Sequence, residues 1–377
     1  MKERNRLYEL VTLFLKLGII GFGGPAAHIA MMQDEVVHKR KWLTEQRFLD
    51  LVGATNLIPG PNSTEMAIHI GQERAGWKGL VIAGVCFIVP AVLITGIIAV
   101  LYSKYGQLPA VQPFIYGIKP AIIAIILAAV FPLARRAAKS PMIIALGILV
   151  FVLYLAGISE ILLMFGAGLI ALAGEIMKRG SGPGRLHSIL PLTFLQVVQP
   201  ITFLVTNAKL FLVFLKIGAI LYGSGYVLFA FIDTELVQTG MLPRQQLIDA
   251  IAVGQFTPGP VFSAVTFIGY LLNGIPGALI ATIAIFLPAF LFVALLNPLV
   301  KKLRDSNRFA VFLDAVNIAS VALIAGTCFI MGKETITDWR SASIAFLALV
   351  VTFGFSRINS AWIVIGGSLL GYLLSRI

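Results

Sequence analysis

Long apolar runs separated by short polar turns dominate this sequence and leave few folds open to it. An α-helix needs about 20 apolar residues to cross the hydrocarbon of a bilayer, and several runs reach or approach this length. Only 12% of the residues are charged, against about 25% in a soluble domain. The sequence therefore predicts an all-α polytopic membrane protein. The main runs are residues 79–102, 114–133, 142–157, 161–176, 275–299 and 344–355.

The chain also contains an internal duplication. FLKLG at residues 14–18 returns as FLKIG at 214–218, and Pro-Gly-Pro at 59–61 returns at 258–260. Self-similarity at a fixed offset is the mark of a repeated structural unit. We predict two homologous halves: a first repeat over residues 1–177, a basic, glycine-rich linker over 178–200, and a second repeat over 201–377.

The charge of equivalent loops reverses between the halves. The loop at 135–139 carries three basic residues, whereas its counterpart at 333–340 balances two basic residues with two acidic ones. Because Lys and Arg accumulate on the cytoplasmic side, this predicts an inverted-topology repeat. Inversion requires an odd number of crossings per half, so we predict about 10 crossings plus two re-entrant Pro-Gly-Pro hairpins, the first over 44–75. The basic N-terminus then lies outside, against the charge rule.

The Pro-Gly-Pro breaks are the first candidate binding elements. Irregular backbone at membrane depth persists only where protein or a water-filled cavity satisfies its amides and carbonyls. Inverted-repeat transporters point the positively polarised N-termini of broken helices at an anion. The alternative is a pair of proline kinks that only shape packing. The candidate substrate ligands are Asn56, Gly60, Asn62, Ser63 and Thr64 in the first half, and Gln255, Thr257, Gly259 and Ser263 in the second.

Glycine-rich breaks in the first apolar region of each half add further candidates. Gly23 and Gly24 in the first half, and Gly223 and Ser224 in the second, would supply backbone donors facing the Pro-Gly-Pro tips. Small residues at these positions serve equally well for close helix packing.

Three lysines lie within apolar stretches. Lys16 and Lys216 occupy equivalent positions in the two halves, and Lys119 precedes a proline. An ionisable residue in a membrane segment is by default a functional candidate, since burial of its charge is costly. We predict that all three bind substrate. The alternative for Lys16 and Lys216 is that they reach the membrane surface along their aliphatic stems.

Acidic residues in the same regions could pair with these lysines or carry protons. They are Asp50, Glu65, Asp249 and Asp314. Glu65 and His69 lie four residues apart on one helical face and are the candidates for proton coupling. The alternative is a packed, hydrogen-bonded pair.

The remaining features exclude other classes. The net charge of +12 would suggest nucleic acid in a soluble protein, but here the basic residues lie in loops, where they orient the chain. Two distant cysteines and four scattered histidines support neither a disulfide framework nor a metal site. No nucleotide-binding glycine pattern is present. We expect no enzyme activity, no cofactor, no bound metal and no nucleic-acid partner.

The segments FLKLGIIGFGGPAAHI, LIPGPNSTE and AIAVGQFTPGPVF resemble the signature segments of the chromate ion transporter (CHR) family in its two-domain, long-chain form. The resemblance covers both halves. It implies transport of chromate across the inner membrane, usually outward, with sulfate as a related oxyanion and two halves of opposite orientation. Glu65 departs from the family pattern, which carries Gln there, so oxyanion transport in general is the firmer expectation.

The residues and the resemblance together predict a secondary transporter of tetrahedral oxyanions, with chromate efflux as its function. The expected location is the cytoplasmic membrane of a prokaryote, with the lipid bilayer as surroundings and a homodimer as a compatible assembly. The alternatives are an anion channel and a proton-coupled carrier of another inorganic anion.

Overall fold

Helices make up every regular element that the structure, a computed structural model, describes. The described residues are 2–22, 24–178, 206–304, 306–355 and 358–376. The first half contains α1 (Lys2–Ile20), α2 (Gly24–Gln33), α3 (Glu45–Thr55), α4 (Asn62–Tyr105), α5 (Gln112–Ala137), α6 (Pro141–Leu155) and α7 (Glu160–Lys178). The second contains α8 (Asn207–Ile220), α9 (Val227–Ile232), α10 (Arg244–Phe256), α11 (Ala264–Arg304), α12 (Asn307–Thr335), α13 (Trp339–Gly354) and α14 (Ser360–Leu374).

The duplication predicted from the sequence is confirmed in the order of the elements. Each half places its helices in the same succession and follows its second helix with a π-helical segment, Asp34–Lys39 in one and Asp233–Val237 in the other. Most of the predicted linker, from residue 179 onward, lies outside the described residues, as does Gly23. The boundaries of the linker stay a prediction.

The helices α4 and α11 fold back on themselves at equivalent glycines. Gly76 has φ 61° and ψ −149°, and Gly274 has φ 60° and ψ −151°. This left-handed region of φ favours glycine. Each kink divides its helix into a first arm, 62–74 in α4 and 264–272 in α11, and a longer second arm.

The two arms of each folded helix pack closely because glycines face each other. A Cβ atom on Gly71 would lie 2.2 Å from the carbonyl oxygen of Gly79. A Cβ atom on Gly269 would lie 2.4 Å from that of Gly277. The first arm of α4 therefore returns to the end of the molecule at which α3 began, and α3 with this arm forms the predicted hairpin around Pro-Gly-Pro.

A second helical hairpin precedes the first, which the sequence interpretation missed. The chain turns back after α1 and forms a hairpin with α2. The open end of this hairpin lies beside the end of the α4 first arm. There Arg74 donates to Glu9 of α1 at 2.7 Å, and its guanidinium stacks over Trp42 at 4.7 Å. The N-terminal end of α1 thus lies at the same end of the bundle as residues 39–42. The expectation that these two segments lie on opposite sides was wrong, because it counted α1 and α2 as one crossing.

The last three helices of each half pack mainly on the other half. In the first half α5 packs against α13 and α14, and in the second half the equivalent α12 packs against α6 and α7. Tyr116 of α5 hydrogen-bonds Asp338, which caps α13. The Ser341 amide, followed by Tyr116, lowers the pKa of Asp338 to about 2. These exchanged contacts interlock the halves.

The equivalent helices α5 and α12 run antiparallel. The Cys328 thiol lies 3.7 Å from the carbonyl oxygen of Ile123, whereas Lys139, just past the end of α5, pairs with Asp314 at 2.6 Å. Residue numbers therefore rise along α5 as they fall along α12.

Five described helices are long and apolar enough to cross a membrane: α4, α5, α7, α11 and α12, the last two counted with small differences at their ends. Three shorter apolar helices accompany them: α6, α13 and α14. The helices α1, α2, α3, α8, α9 and α10 belong to neither group. The prediction of about 10 crossings is not tested by these lengths.

Replacing Gly117 by alanine should separate α5 from α14. The new Cβ atom would lie 2.1 Å from the carbonyl oxygen of Gly367, so backbone must move, at a cost of about 3 kcal/mol of stability. Thermal unfolding of the purified protein in detergent measures this. The matched control is Gly166→Ala on α7, where a Cβ meets no atom within 4 Å. Equal unfolding temperatures for the two variants would contradict the packing.

Candidate functional site

The broken ends of four helices meet at one place between the halves. The amide of Gly60 donates to the carbonyl oxygen of Leu221 at 2.8 Å, and the amide of Gly259 donates to that of Gly21 at 2.7 Å. Each Pro-Gly-Pro tip therefore binds the end of the first helix of the other half. We call this the central junction, formed by residues 21–22, 56–63, 221–224 and 257–263.

Glycine is required at both Pro-Gly-Pro tips. Gly60 has φ +141° and Gly259 has φ +92°, conformations that L side chains rarely adopt. Space is also short, since a Cβ atom on Gly259 would lie 2.9 Å from that of Ala91. The glycines hold the tips together, and their own amides are already used by the carbonyls of the opposite half.

Donors for an anion come instead from the start of α4. The hydrogen bonds of this turn begin with the amides of Thr64 and Glu65, which donate to the carbonyl of Pro61. Within the described structure, the amides of Asn62 and Ser63 have no acceptor. The Asn62 side chain donates to Asn56 Oδ1 at 2.9 Å. Two free amides at a helix N-terminus form an arrangement suited to an anion.

Glu65 lies directly behind the first tip. It is fully buried, and neither carboxylate oxygen has a hydrogen-bond partner among the described residues. A Cβ atom on Gly60 would lie 2.3 Å from Glu65 Oε1, so the carboxyl packs against the tip itself. The hydroxyl of Thr64 is likewise buried without a partner. An isolated carboxylate in such a place is stable only in its neutral, protonated form.

His69 follows one turn later on the same arm. It is buried, and both ring nitrogens lack a partner in the described part of the chain. The hydrogen-bonded pair with Glu65 that the spacing suggested is therefore absent from this conformation. In the second half, Phe267 takes the position of His69, so these two titratable groups belong to one tip only.

The second tip is lined by hydroxyl groups. Thr95, on the second arm of α4, lies with its Oγ1 3.5 Å from that of Thr257 and 3.3 Å from Ser263 Oγ. All three side chains are buried. The sequence interpretation named Thr257 and Ser263 but missed Thr95. Its one signal was that Thr95 is the single serine or threonine in the apolar run 79–102.

The other candidates of the second half border the same region. Gln255 is buried, and its Nε2 has no partner in the described structure. Gly223, with φ +95°, packs against Ser320 of α12, whose hydroxyl donates to the Tyr222 carbonyl at 3.0 Å. Ser224 accepts from the Tyr226 amide. In the first half, Gly24 has φ +77° and open space around it.

Lys16 and Lys216 pair with equivalent acidic residues of their own halves. Lys16 Nζ lies 2.8 Å from Glu35, and Lys216 contacts Glu235. Each ion pair joins the first helix to the π-helical segment of its own half. Lys16 is the main reason that the pKa of Glu35 lies below its ordinary value. The Lys16 side chain is 50% exposed and that of Lys216 39%, which leaves each ammonium reachable by an anion.

Replacing Lys16 or Lys216 by alanine should weaken oxyanion transport about tenfold, mainly through a higher KM, because each removes a partly exposed charge-assisted donor. Initial rates in proteoliposomes measure this, with Lys139→Ala, which removes an ion pair away from the junction, as the control. Wild-type flux in both variants would refute a role for these lysines.

Lys119 lies away from the junction, in contact with the second half. Its Nζ donates to Gln245 at 2.6 Å and lies 3.5 Å from Asp249. Tyr102 donates to the same buried carboxylate at 2.6 Å. The expected pairing of a lysine with Asp249 is therefore present, and it ties α4 and α5 to α10. The structure does not bring Lys119 to the Pro-Gly-Pro tips.

Metal ligands do not gather in the described residues. No group of three His, Cys, Asp or Glu side chains lies close enough there to hold a metal ion. The chemistry that the junction offers is hydrogen bonding to a small anion from backbone amides and hydroxyls, next to one buried carboxyl group.

Comparison with known proteins finds relatives that match most of this chain. A "Probable chromate transport protein" of Synechococcus elongatus is 30% identical, over 93% of this chain and 91% of that protein. A "Chromate transport protein" of Cupriavidus metallidurans is also 30% identical, over 97% and 92% respectively, and one of Pseudomonas aeruginosa is 25% identical. No solved structure matches the chain. The family described as "Chromate transporter" matches twice, over residues 8–172 and 208–372, and the chain belongs to this family.

Proposed function

We propose that this protein is a secondary carrier of tetrahedral oxyanions, with chromate as the first candidate substrate and sulfate as a related ligand. The observation that carries the proposal is the central junction, where two helix tips from opposite halves present free amides and buried hydroxyls. The names of the relatives support chromate among such anions.

The antiparallel course of α5 and α12 supports an inverted repeat. Equivalent helices with opposite directions imply that the halves enter the membrane from opposite faces. In this arrangement the first-half hairpins and the C-terminal end of α5 share one face. That face would hold Arg6, residues 39–41, Arg74 and residues 135–139, and by the charge rule it is the cytoplasmic one. The basic N-terminus then obeys the rule.

The crossings proposed on this basis are four in each half: the second arm of α4 with α5, α6 and α7, and their counterparts. An even number keeps both ends of a half on one face. Opposite orientation then requires one further crossing between the halves. Labelling of single cysteines in the loops after α5 and after α12, from either face of the membrane, tests whether equivalent loops lie on opposite faces.

Outward transport needs no coupling ion. One charge moving through 100 mV is worth about 2.3 kcal/mol, so a dianion leaving a negative-inside cell gains about 4.6 kcal/mol per 100 mV. We infer efflux as the physiological direction. The isolated, neutral Glu65 supports a further part of the proposal: Glu65 holds a proton at the first tip while the anion binds.

An anion channel is the alternative use of the same tips. Counterflow separates the two: a carrier accelerates the uptake of labelled sulfate when vesicles contain unlabelled sulfate, whereas a channel does not. Saturable uptake with this stimulation is the expected result. Large unitary currents without stimulation would replace the carrier by a channel.

A further inference from the structure

A cavity of about 170 Å³ opens at the base of the two first-half hairpins, outside the central junction. Its lining comes from the start of α1, the α2–α3 connection and the end of the α4 first arm. The residues are Arg6, Trp42, Leu43, Ile70, Glu73 and Arg74. Such a volume has room for a small ion with part of its water.

Arg74 is held rigidly at the wall of this cavity. Its Nη2 donates to Glu9 at 2.7 Å, and its guanidinium carbon lies 4.7 Å from the centre of the Trp42 ring. Its Nε is buried and has no acceptor in the described structure. A guanidinium fixed by stacking and one ion pair, with a free N–H, is prepared for an oxyanion.

The surroundings carry excess positive charge. The guanidinium carbon of Arg40 also lies near the Trp42 ring, 5.2 Å from its centre. Arg47 pairs with Glu73. Arg6, Arg40, Arg47 and Arg74 lie near three acidic residues, Glu9, Glu35 and Glu73, which leaves one excess positive charge. A concave surface with excess positive charge concentrates anions.

The second half does not repeat this cavity chemistry. At the duplicated positions Arg6 becomes Thr206, Trp42 becomes Met241, Arg47 becomes Gln246, Glu73 becomes Leu271 and Arg74 becomes Leu272. The fold therefore forms without these charges. Because these charged residues occur at the base of the first-half hairpins and not at their counterparts, the two faces of the carrier differ in charge.

The cavity and the central junction lie at opposite ends of the α4 first arm. The first arm of α4 joins the two places: Arg74 ends it, and Asn62 begins it 12 residues earlier, about 18 Å away along the helix. Glu65 and His69 lie between them on the same arm. We propose that the cavity binds a free tetrahedral oxyanion, and that the transported anion docks there before it reaches the central junction. The second part of this inference rests on the proposed function.

Binding is tested with sulfate and the full-length protein in detergent. Trp77, Trp339 and Trp362 are all more than half exposed, so phenylalanine at these positions leaves Trp42 as the single fluorophore. Sulfate should change Trp42 fluorescence saturably. Arg74→Gln should weaken this response about tenfold, and Arg6→Gln, at an exposed position, should weaken it without loss of fold. The control, Lys209→Gln at the opposite base, should leave it unchanged.

Absence of any sulfate response, or an unchanged response in both arginine variants, would overturn the site. A response to phosphatidylglycerol in nanodiscs but none to sulfate would assign the cavity to a lipid headgroup and overturn it as well. Saturable binding without any flux would support the cavity while refuting the carrier function. Flux without a Trp42 response would refute the cavity alone.

Sidedness tests the docking step. In oriented proteoliposomes, Arg74→Gln should raise the KM about tenfold for chromate supplied at the cavity face, with the maximum rate and the KM at the other face unchanged. An equal change at both faces, or no change at either, would overturn the docking role.

Discussion

Alanine at Gly60 or Gly259 is expected to lower oxyanion transport more than about tenfold. Both glycines have positive φ, so a side chain adds backbone strain of about 1–3 kcal/mol. At Gly60 the new Cβ would also lie 2.3 Å from Glu65 Oε1. Either change displaces a tip from the carbonyl of the other half that it now binds. Initial rates of chromate flux in proteoliposomes measure the effect.

The matched control is Gly240→Ala. Gly240 has φ +74°, but a Cβ there meets no atom within 4 Å, and the residue lies away from the junction. It carries the same kind of backbone strain, so it should cost stability and leave the KM unchanged. If Gly60→Ala and Gly240→Ala transport equally well, the tips are packing elements only.

Glu65→Gln should make anion binding independent of pH. In the wild type, ionised Glu65 would repel a dianion at the first tip, so affinity should fall as the pH rises and the buried carboxyl loses its proton. A glutamine keeps the shape and cannot ionise, and its affinity should stay at the low-pH value. The expected difference at alkaline pH is about tenfold or more, given the size of charge repulsion at short range.

Isothermal titration of the purified protein with sulfate, over the pH range in which the protein stays folded, measures this difference. Ser263→Ala serves as the control, since it alters the second tip without a titratable group and should keep the pH dependence. A glutamine variant whose affinity follows pH as the wild type does would show that Glu65 is not the titrating group.

Much of the architecture could be predicted from the sequence because its signals are local. Apolar length indicates membrane helices, and the repeated Pro-Gly-Pro and FLK-x-G segments mark equivalent points without any tertiary information. The α3–α4 hairpin followed from the same signals, because proline and glycine interrupt a helix whatever surrounds it.

The rest depends on contacts between distant segments. The sequence of an apolar helix gives little information about which helix it packs against. The packing of α5 on α14 through Gly117 was therefore not predictable. The α1–α2 hairpin had one unused signal: Lys16 and Glu35 recur together as Lys216 and Glu235, as paired residues on two arms would. Gly60 and Gly259 were predicted to bind substrate, and only the structure reveals that carbonyls of the opposite half accept from their amides.

The most direct test of the central claim is potential-driven release of chromate from proteoliposomes. Vesicles loaded with chromate receive a potassium gradient and valinomycin, which set the interior negative or positive. We expect release that is faster with a negative interior, saturates with chromate, is inhibited by sulfate and is lost in Gly60→Ala. Release equal to that of protein-free vesicles, with the protein shown to be inserted and folded, would contradict it.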